Sequence, residues 1–228
     1  MVGRVVLLSV LALAFGRGPA AARQGRLHAG EFHARYDRAA AQIRLRYEVA
    51  RDAADAVPLS LLAFRGSIVD SIRVRVDAGA AQPLVLAAER GGRLRGSVPL
   101  GDPAPQRVTL EIEYAIRSTA GRRVTLPVVA VMWPPAQARP GLFTGEVLLA
   151  GQQEAYNAFP ATLRARGVQG DARTYTFSLP VLPAVVSFDV AADAPALTFT
   201  RTLDLLVVLL TILFCAMLWR QFRAQPTA

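Results

Sequence analysis

The sequence contains two histidines, His28 and His33, and Glu31 lies between them. Imidazole and carboxylate groups can bind Zn²⁺ or Cu²⁺, and the same groups can act as an acid and base pair. In an extended strand Glu31 and His33 share one face, whereas a helix would bring His28 next to Glu31. Because the chain has no third histidine and its sole cysteine is Cys215, we predict neither a metal site nor a cofactor.

Serine and carboxylate side chains give no catalytic pattern either. None of Ser67, Ser71 and Ser178 lies in a Gly-x-Ser-x-Gly motif, and the absence of lysine excludes a Ser/Lys dyad. Glu111 and Glu113 share the outward face of a predicted strand, where paired carboxylates could hydrolyse glycosides, but neighbouring acids on a strand are usually a solvated surface. The sequence therefore predicts a protein that is not an enzyme, and an unrecognised hydrolase is kept as an alternative.

Three arginine pairs at the spacing i,i+2 form the first candidate binding feature. They are Arg44, Arg46, Arg73, Arg75, Arg93 and Arg95. Each pair points away from the apolar residues of its predicted strand. If the three strands were neighbours in one sheet, six guanidinium groups would form a stripe that binds phosphate or carboxylate polymers. Glutamates on adjacent strands would instead neutralise that stripe.

The second candidate binding feature is the proline-rich loop from Trp133 to Thr144. Prolines stiffen a free loop and so reduce the entropy lost on binding. Trp133, Leu142 and Phe143 are apolar anchors of the type that dominates protein interfaces. The alternative is that Trp133 and Phe143 close one end of the fold. The first interpretation predicts contact with another protein through this loop.

Strands must position these side chains, because apolar and polar residues alternate along much of the chain. The alternation is clearest in Gln42–Val49 (QIRLRYEV), Ser71–Asp77 (SIRVRVD) and Val108–Ile116 (VTLEIEYAI). No amphipathic helical pattern of ten residues occurs between residues 40 and 200. We predict an all-β fold, an antiparallel β-sandwich that is Ig-like or related.

In pattern, this succession of alternating strands is similar to immunoglobulin-like domains and to the β-sandwich that precedes the catalytic domain in zinc aminopeptidases. The resemblance implies a sandwich fold. The chain has neither the Cys-Trp-Cys spacing of the former nor a His-Glu-x-x-His motif. The resemblance therefore implies no functional residue, cofactor or activity.

The apolar run Leu205–Trp219 carries no charge. At about 1.5 Å per residue it covers about 22 Å, so Thr202 to Asp204 are needed to approach the hydrocarbon core of about 30 Å. Asp204 is predicted to be the N-cap. Arginines follow the run directly, which by the positive-inside rule places the C-terminus in the cytoplasm. We predict a transmembrane helix over 201–220 and a cytoplasmic tail over 221–228.

The N-terminus has the features of a signal peptide. Arg4 provides an early charge, the apolar run Val5–Phe15 follows, and three alanines end at Ala22. We predict cleavage after residues 1–22, which leaves an exported domain over 23–200. The composition, rich in alanine and arginine and free of lysine, indicates a bacterium with a GC-rich genome. The predicted location is the bacterial inner membrane, with the domain in the periplasm.

The net charge of +9 comes from arginines that are spread along the chain rather than clustered. An exported domain with dispersed charge is not expected to bind nucleic acid. We predict a single-pass bacterial envelope protein whose exported β-sandwich binds or scaffolds another membrane or envelope component, without catalysis. The alternative is a binding module for an anionic envelope polymer, either lipopolysaccharide or an acidic glycan, that uses the outward arginines.

Overall fold

The computed structural model describes residues 25–37, 40–51, 54–64, 67–89, 91–101, 106–118, 122–151, 153–192 and 199–223. The predicted signal peptide, its cleavage site and the last five residues of the predicted tail lie outside these ranges. Within them the chain forms β-sheets followed by one C-terminal apolar helix. This confirms the predicted β class, while the boundaries of the predicted segments stay predictions.

The strands of the described residues follow one another along the chain from Arg26 to Ala191. They are β1 (Arg26–Asp37), β2 (Ala40–Ala50), β3 (Ala56–Leu62), β4 (Ser67–Val69), β5 (Arg73–Val76), β6 (Gln82–Pro83), β7 (Ala87–Ala88), β8 (Arg93–Pro99), β9 (Arg107–Ser118), β10 (Arg123–Pro127), β11 (Ala130–Val131), β12 (Phe143–Leu149), β13 (Glu154–Phe159), β14 (Arg164–Gln169), β15 (Ala172–Leu179) and β16 (Val185–Ala191). The helix α1 (Phe199–Arg223) ends the described chain.

The largest sheet has nine strands in the order β14-β15-β12-β1-β2-β9-β5-β6, and β4 pairs with β9 beside that path. Its strands β1 and β12 run parallel, so the prediction of a wholly antiparallel arrangement is wrong at this pair. Parallel neighbours require a long crossover connection. Here the connection passes through strands of both smaller sheets before it returns as β12.

The smaller sheets have the orders β10-β16-β13 and β11-β3-β8-β7. The continuous apolar run Thr125–Met132 is divided between them. Its first part lies in β10, which pairs with β16, and its second part lies in β11, which pairs with β3. The two residues between these strands, Val128 and Val129, are fully buried. The continuous apolar pattern thus reflects burial and not a single strand.

A shared core joins the three sheets. Alternate residues of β1, β2 and β9 point into it, and Phe32, Leu45 and Ile112 are completely buried. Two buried tyrosines of the large sheet reach the end of β10 and the segment that follows it: Tyr114 donates its hydroxyl to the carbonyl of Pro127, the last residue of β10, at 2.6 Å, and Tyr47 donates to the Val129 carbonyl at 2.6 Å. Burial raises the pKa of both phenols.

Two hairpin turns contain glycines with positive φ angles. Gly91 and Gly92 have φ angles of 80° and 74° in the turn between β7 and β8, a conformation that favours glycine. Gly170, with a φ of 64°, occupies the corresponding turn between β14 and β15. That the sandwich is Ig-like or related stays a prediction.

The helix α1 begins at Phe199, five residues before Asp204. Asp204 therefore lies inside the helix, and the prediction that it is the N-cap is wrong. The window Thr202–Trp219 is 18 residues long, has a mean hydropathy of 2.4, and is not buried against the protein. Thr211 donates its hydroxyl to the Val207 carbonyl at 2.8 Å, so its polar group is satisfied within the helix. The helix is long and apolar enough to cross a membrane.

Candidate functional site

The outer face of the nine-stranded sheet carries a dense set of charged side chains. Because residues on a strand alternate between faces, the apolar residues of β1, β2 and β9 enter the core while their polar neighbours face outward. We call the outward set the polar face. It consists of Glu31, His33, Arg35, Arg44, Arg46, Arg73, Arg75, Glu111, Glu113 and Glu146.

Strand register arranges most of the polar face in two rows, in which the residues of β2, β9 and β5 alternate in charge. One row runs through Glu146, His33, Arg44, Glu113 and Arg73, from β12 across β1, β2 and β9 to β5. The parallel row runs in the same direction through Thr144, Glu31, Arg46, Glu111 and Arg75. Oppositely charged side chains on adjacent strands attract one another. The register therefore sets which charges neutralise each other.

Three pairs in these rows are close enough to interact directly. The Nε of Arg44 lies 2.7 Å from Oε1 of Glu113, and an Nη of Arg75 lies 3.3 Å from Oε2 of Glu111. His33 Nδ1 lies 3.5 Å from an Oε of Glu146. Because all three pairs are partly exposed, each contributes at most about 1 kcal/mol to stability. Their main effect is to neutralise part of the face.

Four charged residues of the polar face take part in no ion pair among the residues that the structure describes. They are Glu31, Arg35, Arg46 and Arg73. Arg35 has no carboxylate as a register neighbour, whereas Arg73 has one. Its carboxylate neighbour, Glu113, is already bound by Arg44, and its neighbour on β6 is the uncharged Pro83. The guanidinium group of Arg73 can therefore donate hydrogen bonds to the carboxylate of a ligand.

A cavity of about 840 Å³ lies over the polar face. Glu31 on β1 and Arg73 near the start of β5 both line it, as do Arg35 and Arg46. Small-molecule sites in proteins commonly have volumes of about 300 to 1,000 Å³. The cavity thus combines an adequate volume with charges of both signs that have no partner in the described part of the chain.

The arginine pairs predicted from sequence do face outward, but they do not form one stripe. Arg44 and Arg46 lie on β2, and β9 separates them from Arg73 and Arg75 on β5. Because β9 carries Glu111 and Glu113 on the same face, the stripe is interrupted by carboxylates. Arg93 and Arg95 lie on β8 in another sheet, where Arg95 contacts Glu89 at 3.0 Å.

The prediction that the loop after Trp133 presents apolar anchors is wrong with respect to their exposure. Trp133, Leu142 and Phe143 are all buried in the structure. Phe143 packs among the rings of Phe32, Tyr47 and Phe177, and the loop backbone is hydrogen-bonded to β1 through the pair Gly30 N and Leu142 O at 2.8 Å. The alternative interpretation, that these residues close one end of the fold, describes their placement.

The larger cavity brings together five of the candidate catalytic residues, Glu31, His33, Ser71, Glu111 and Glu113, but strand order keeps Ser71 away from the histidine. Glu31 and His33 share the polar face as expected for a strand, while His28 lies at an irregularity of β1. Ser71 precedes β5, three strand spacings from β1, which is about 14 Å. Within the described part of the chain, no group of three or more His, Cys, Asp or Glu residues is placed to hold a metal ion.

Sequence reasoning missed the roles of Arg35 and Glu146 in this face. Glu146 reaches His33 because β12 pairs in parallel with β1, and no local pattern announces a pairing between strands so distant in sequence. Arg35 follows Glu31 and His33 at the same two-residue spacing, so the alternation of β1 was a usable signal.

No protein-family model matches the sequence, and no curated protein matches it. Among solved structures, the chain is similar to an M1 zinc metallopeptidase from Deinococcus radiodurans, with 15% identity, a TM-score of 0.44, and coverage of 73% of this chain and 42% of that chain. It is also similar to native yeast leukotriene A4 hydrolase, with 11% identity, a TM-score of 0.48, and coverage of 75% and 30%. The chain spans less than half of each protein, and a likeness this weak transfers no activity, substrate or residue to it.

The sequence predicted a non-enzymatic scaffold for an envelope component, with polymer binding as its alternative, and this prediction is wrong. The interrupted arginine stripe and the buried loop anchors remove the residues on which both hypotheses depended. Neither hypothesis is carried further.

Proposed function

We propose that this chain is a membrane-anchored receptor domain that binds a short peptide with free termini on the polar face. The observation that carries the proposal is the placement of Glu31 and Arg73 in one cavity, without an ion-pair partner among the described residues. A free carboxylate attracts an ammonium group, and a free guanidinium binds a carboxylate through two parallel hydrogen bonds. A zwitterionic ligand satisfies both.

The spacing of these two residues determines the length of the ligand. From β1 across β2 and β9 to β5 there are three strand spacings of about 4.8 Å, and Glu31 and Arg73 are also offset by two residues, about 6.8 Å, along the strands, which gives about 16 Å. An extended peptide rises about 3.4 Å per residue, so about four to five residues cover this distance. The peptide would lie across the strands, with its N-terminus at Glu31 and its C-terminus at Arg73.

Burial of the sheet's opposite face supports a rigid platform for this ligand. We interpret the three sheets as a β-sandwich in which the nine-stranded sheet forms one layer and the two smaller sheets form the other. The bonds from Tyr47 and Tyr114 to the backbone after β10 would tie the layers together. A face fixed in this way loses little conformational entropy when a ligand binds.

The membrane position proposed for the receptor follows from the C-terminal helix. The span Thr202–Trp219 would anchor the chain in a bacterial inner membrane. Arg220 and Arg223 follow the span, and the positive-inside rule then places the C-terminus in the cytoplasm and the sheets in the periplasm. In that orientation the polar face would meet peptides of the periplasm.

Isothermal titration of the full chain in detergent micelles with tetra-alanine tests the proposal. We expect saturable binding, and we expect Arg73→Gln to weaken it by about tenfold or more, since it removes a charge-assisted contact. Arg93→Gln is the matched control, because Arg93 is an exposed arginine of a different sheet. Absence of binding by folded protein, or equal losses in the two variants, would refute the proposal.

A further inference from the structure

A second, smaller cavity of about 210 Å³ lies beside the polar face, between the nine-stranded and four-stranded sheets. We call it the apolar slot. Its walls are largely aliphatic and are formed by Leu61, Val69, Ile72, Leu84, Leu86 and Leu94. Asp70 also lines the slot, but Arg117 binds its carboxylate with hydrogen bonds of 2.9 and 3.1 Å. The slot therefore presents little uncompensated charge.

Ser71 connects the apolar slot with the polar face, since it lines both cavities. The next two side chains point in opposite directions, because the chain is extended here: Ile72 lines the slot, and Arg73 lines the larger cavity. The last residue before β5 and the first residue of β5 thus line different cavities. A ligand whose carboxylate is bound by Arg73 brings its last side chain next to the slot.

The segment between β6 and β7 forms the outer wall of the slot. β6 pairs with β5 of the large sheet and β7 pairs with β8 of the four-stranded sheet, so this segment bridges the two. Leu84 and Leu86 turn inward and are half-buried, whereas Val85 between them is 82% exposed. The Leu84 amide donates to the Ile72 carbonyl at 2.9 Å, which fixes the wall against β5.

We propose that the apolar slot receives an aliphatic side chain at the C-terminal residue of the bound peptide, so that the receptor selects peptides ending in leucine or a residue of similar size. This inference rests on the proposed function, since the peptide must first bind through Arg73. Aliphatic burial favours the longer side chain over alanine. Glu31 and Arg73 determine the direction of the bound peptide, and the slot determines which C-terminal residue is preferred.

The test compares Ala-Ala-Ala-Leu with tetra-alanine, titrated against the full chain in micelles. We expect the leucine peptide to bind about tenfold more tightly, equivalent to about 1.4 kcal/mol. Leu84→Phe enlarges a wall residue and should abolish this preference while tetra-alanine still binds. Val85→Phe is the matched control, because it adds the same ring at the neighbouring, solvent-facing position, and it should keep the preference.

The outcomes separate the two proposals. If neither peptide binds to folded protein, the proposed function fails and the slot assignment fails with it. If both peptides bind equally and Leu84→Phe changes neither affinity, the slot assignment alone is overturned. A preference for leucine that Leu84→Phe removes and Val85→Phe retains supports the assignment. Loss of the preference in both variants would also overturn it, because the effect would then not come from the slot.

Discussion

Arg44 and Glu113 form an ion pair across β2 and β9, with 2.7 Å between Nε and Oε1. This ion pair determines whether the guanidinium group of Arg73 is available to a ligand. Glu113 is the register partner of both Arg44 on β2 and Arg73 on β5. Because its carboxylate is bound by Arg44, Arg73 keeps a guanidinium group that can bind a ligand.

Replacement of Arg44 and replacement of Glu113 should therefore change peptide affinity in opposite directions. Arg44→Gln releases Glu113 to neutralise Arg73, and we expect tetra-alanine to bind about two- to fivefold more weakly, a change within the range of exposed ion pairs. Glu113→Gln removes that competitor, and the affinity should rise. Isothermal titration measures both, and denaturant unfolding should show stability changes below about 1 kcal/mol. Changes of the same sign in the two variants would contradict this relationship.

Gly145 on β12 should tolerate no side chain. A Cβ atom at this position would overlap the ring of Phe177 on the adjacent strand, and that ring is 4% exposed. We expect Gly145→Ala to lower the free energy of unfolding by about 1 to 3 kcal/mol or more, as overpacking does. Gly167→Ala is the control, since nothing lies within 4 Å of its Cβ position. Equal stability of the two variants, measured by denaturant unfolding, would show that the ring moves aside freely.

Alternation along single strands made much of this fold predictable. The pattern of β2 and β9 is local, so the sequence indicated both the strands and the outward direction of Arg44 and Glu113. Pairing between distant strands carries no local signal. The insertion of β9 between the two arginine strands, which interrupts the predicted stripe, could not be inferred for this reason. Burial of Trp133 was missed because a proline-rich loop looks alike whether it is exposed or packed.

Stability should fall above pH 10. Burial raises the pKa of Tyr47 and Tyr114 in the folded protein, while the phenols of the unfolded chain titrate near pH 10. Below pH 10 both states keep these protons and the full stability is present. Above it the unfolded chain loses protons first, so the free energy of unfolding falls, by at most about 1.4 kcal/mol per pH unit for each tyrosine. Thermal unfolding between pH 8 and 11 should show a shallower decline when both tyrosines are replaced by phenylalanine. If the unfolding temperature falls equally steeply with pH in the original protein and in the variant, the two tyrosines do not cause the decline.

Membrane insertion of the apolar helix should depend on where a charge is placed within its span. Leu210 lies near the middle of Thr202–Trp219, and arginine at the centre of a membrane helix costs about 2.5 to 3.5 kcal/mol of insertion free energy. We expect Leu210→Arg to release a measurable fraction of the chain from membranes in alkaline carbonate, whereas Thr202→Arg at the end of the span should not. If both variants stay fully in the membrane fraction, a charge in the middle of the span does not hinder insertion.

The most direct test of peptide recognition combines blocked ligands with two variants. Titration of the full chain with tetra-alanine, N-acetyl-tetra-alanine and tetra-alanine amide should show that each block weakens binding by about tenfold, since each removes one charge-assisted contact. Acetylation should no longer matter in Glu31→Gln, and amidation should no longer matter in Arg73→Gln. If blocking either terminus leaves the affinity unchanged, or if its effect persists in the corresponding variant, then Glu31 and Arg73 do not bind the two ends of a peptide.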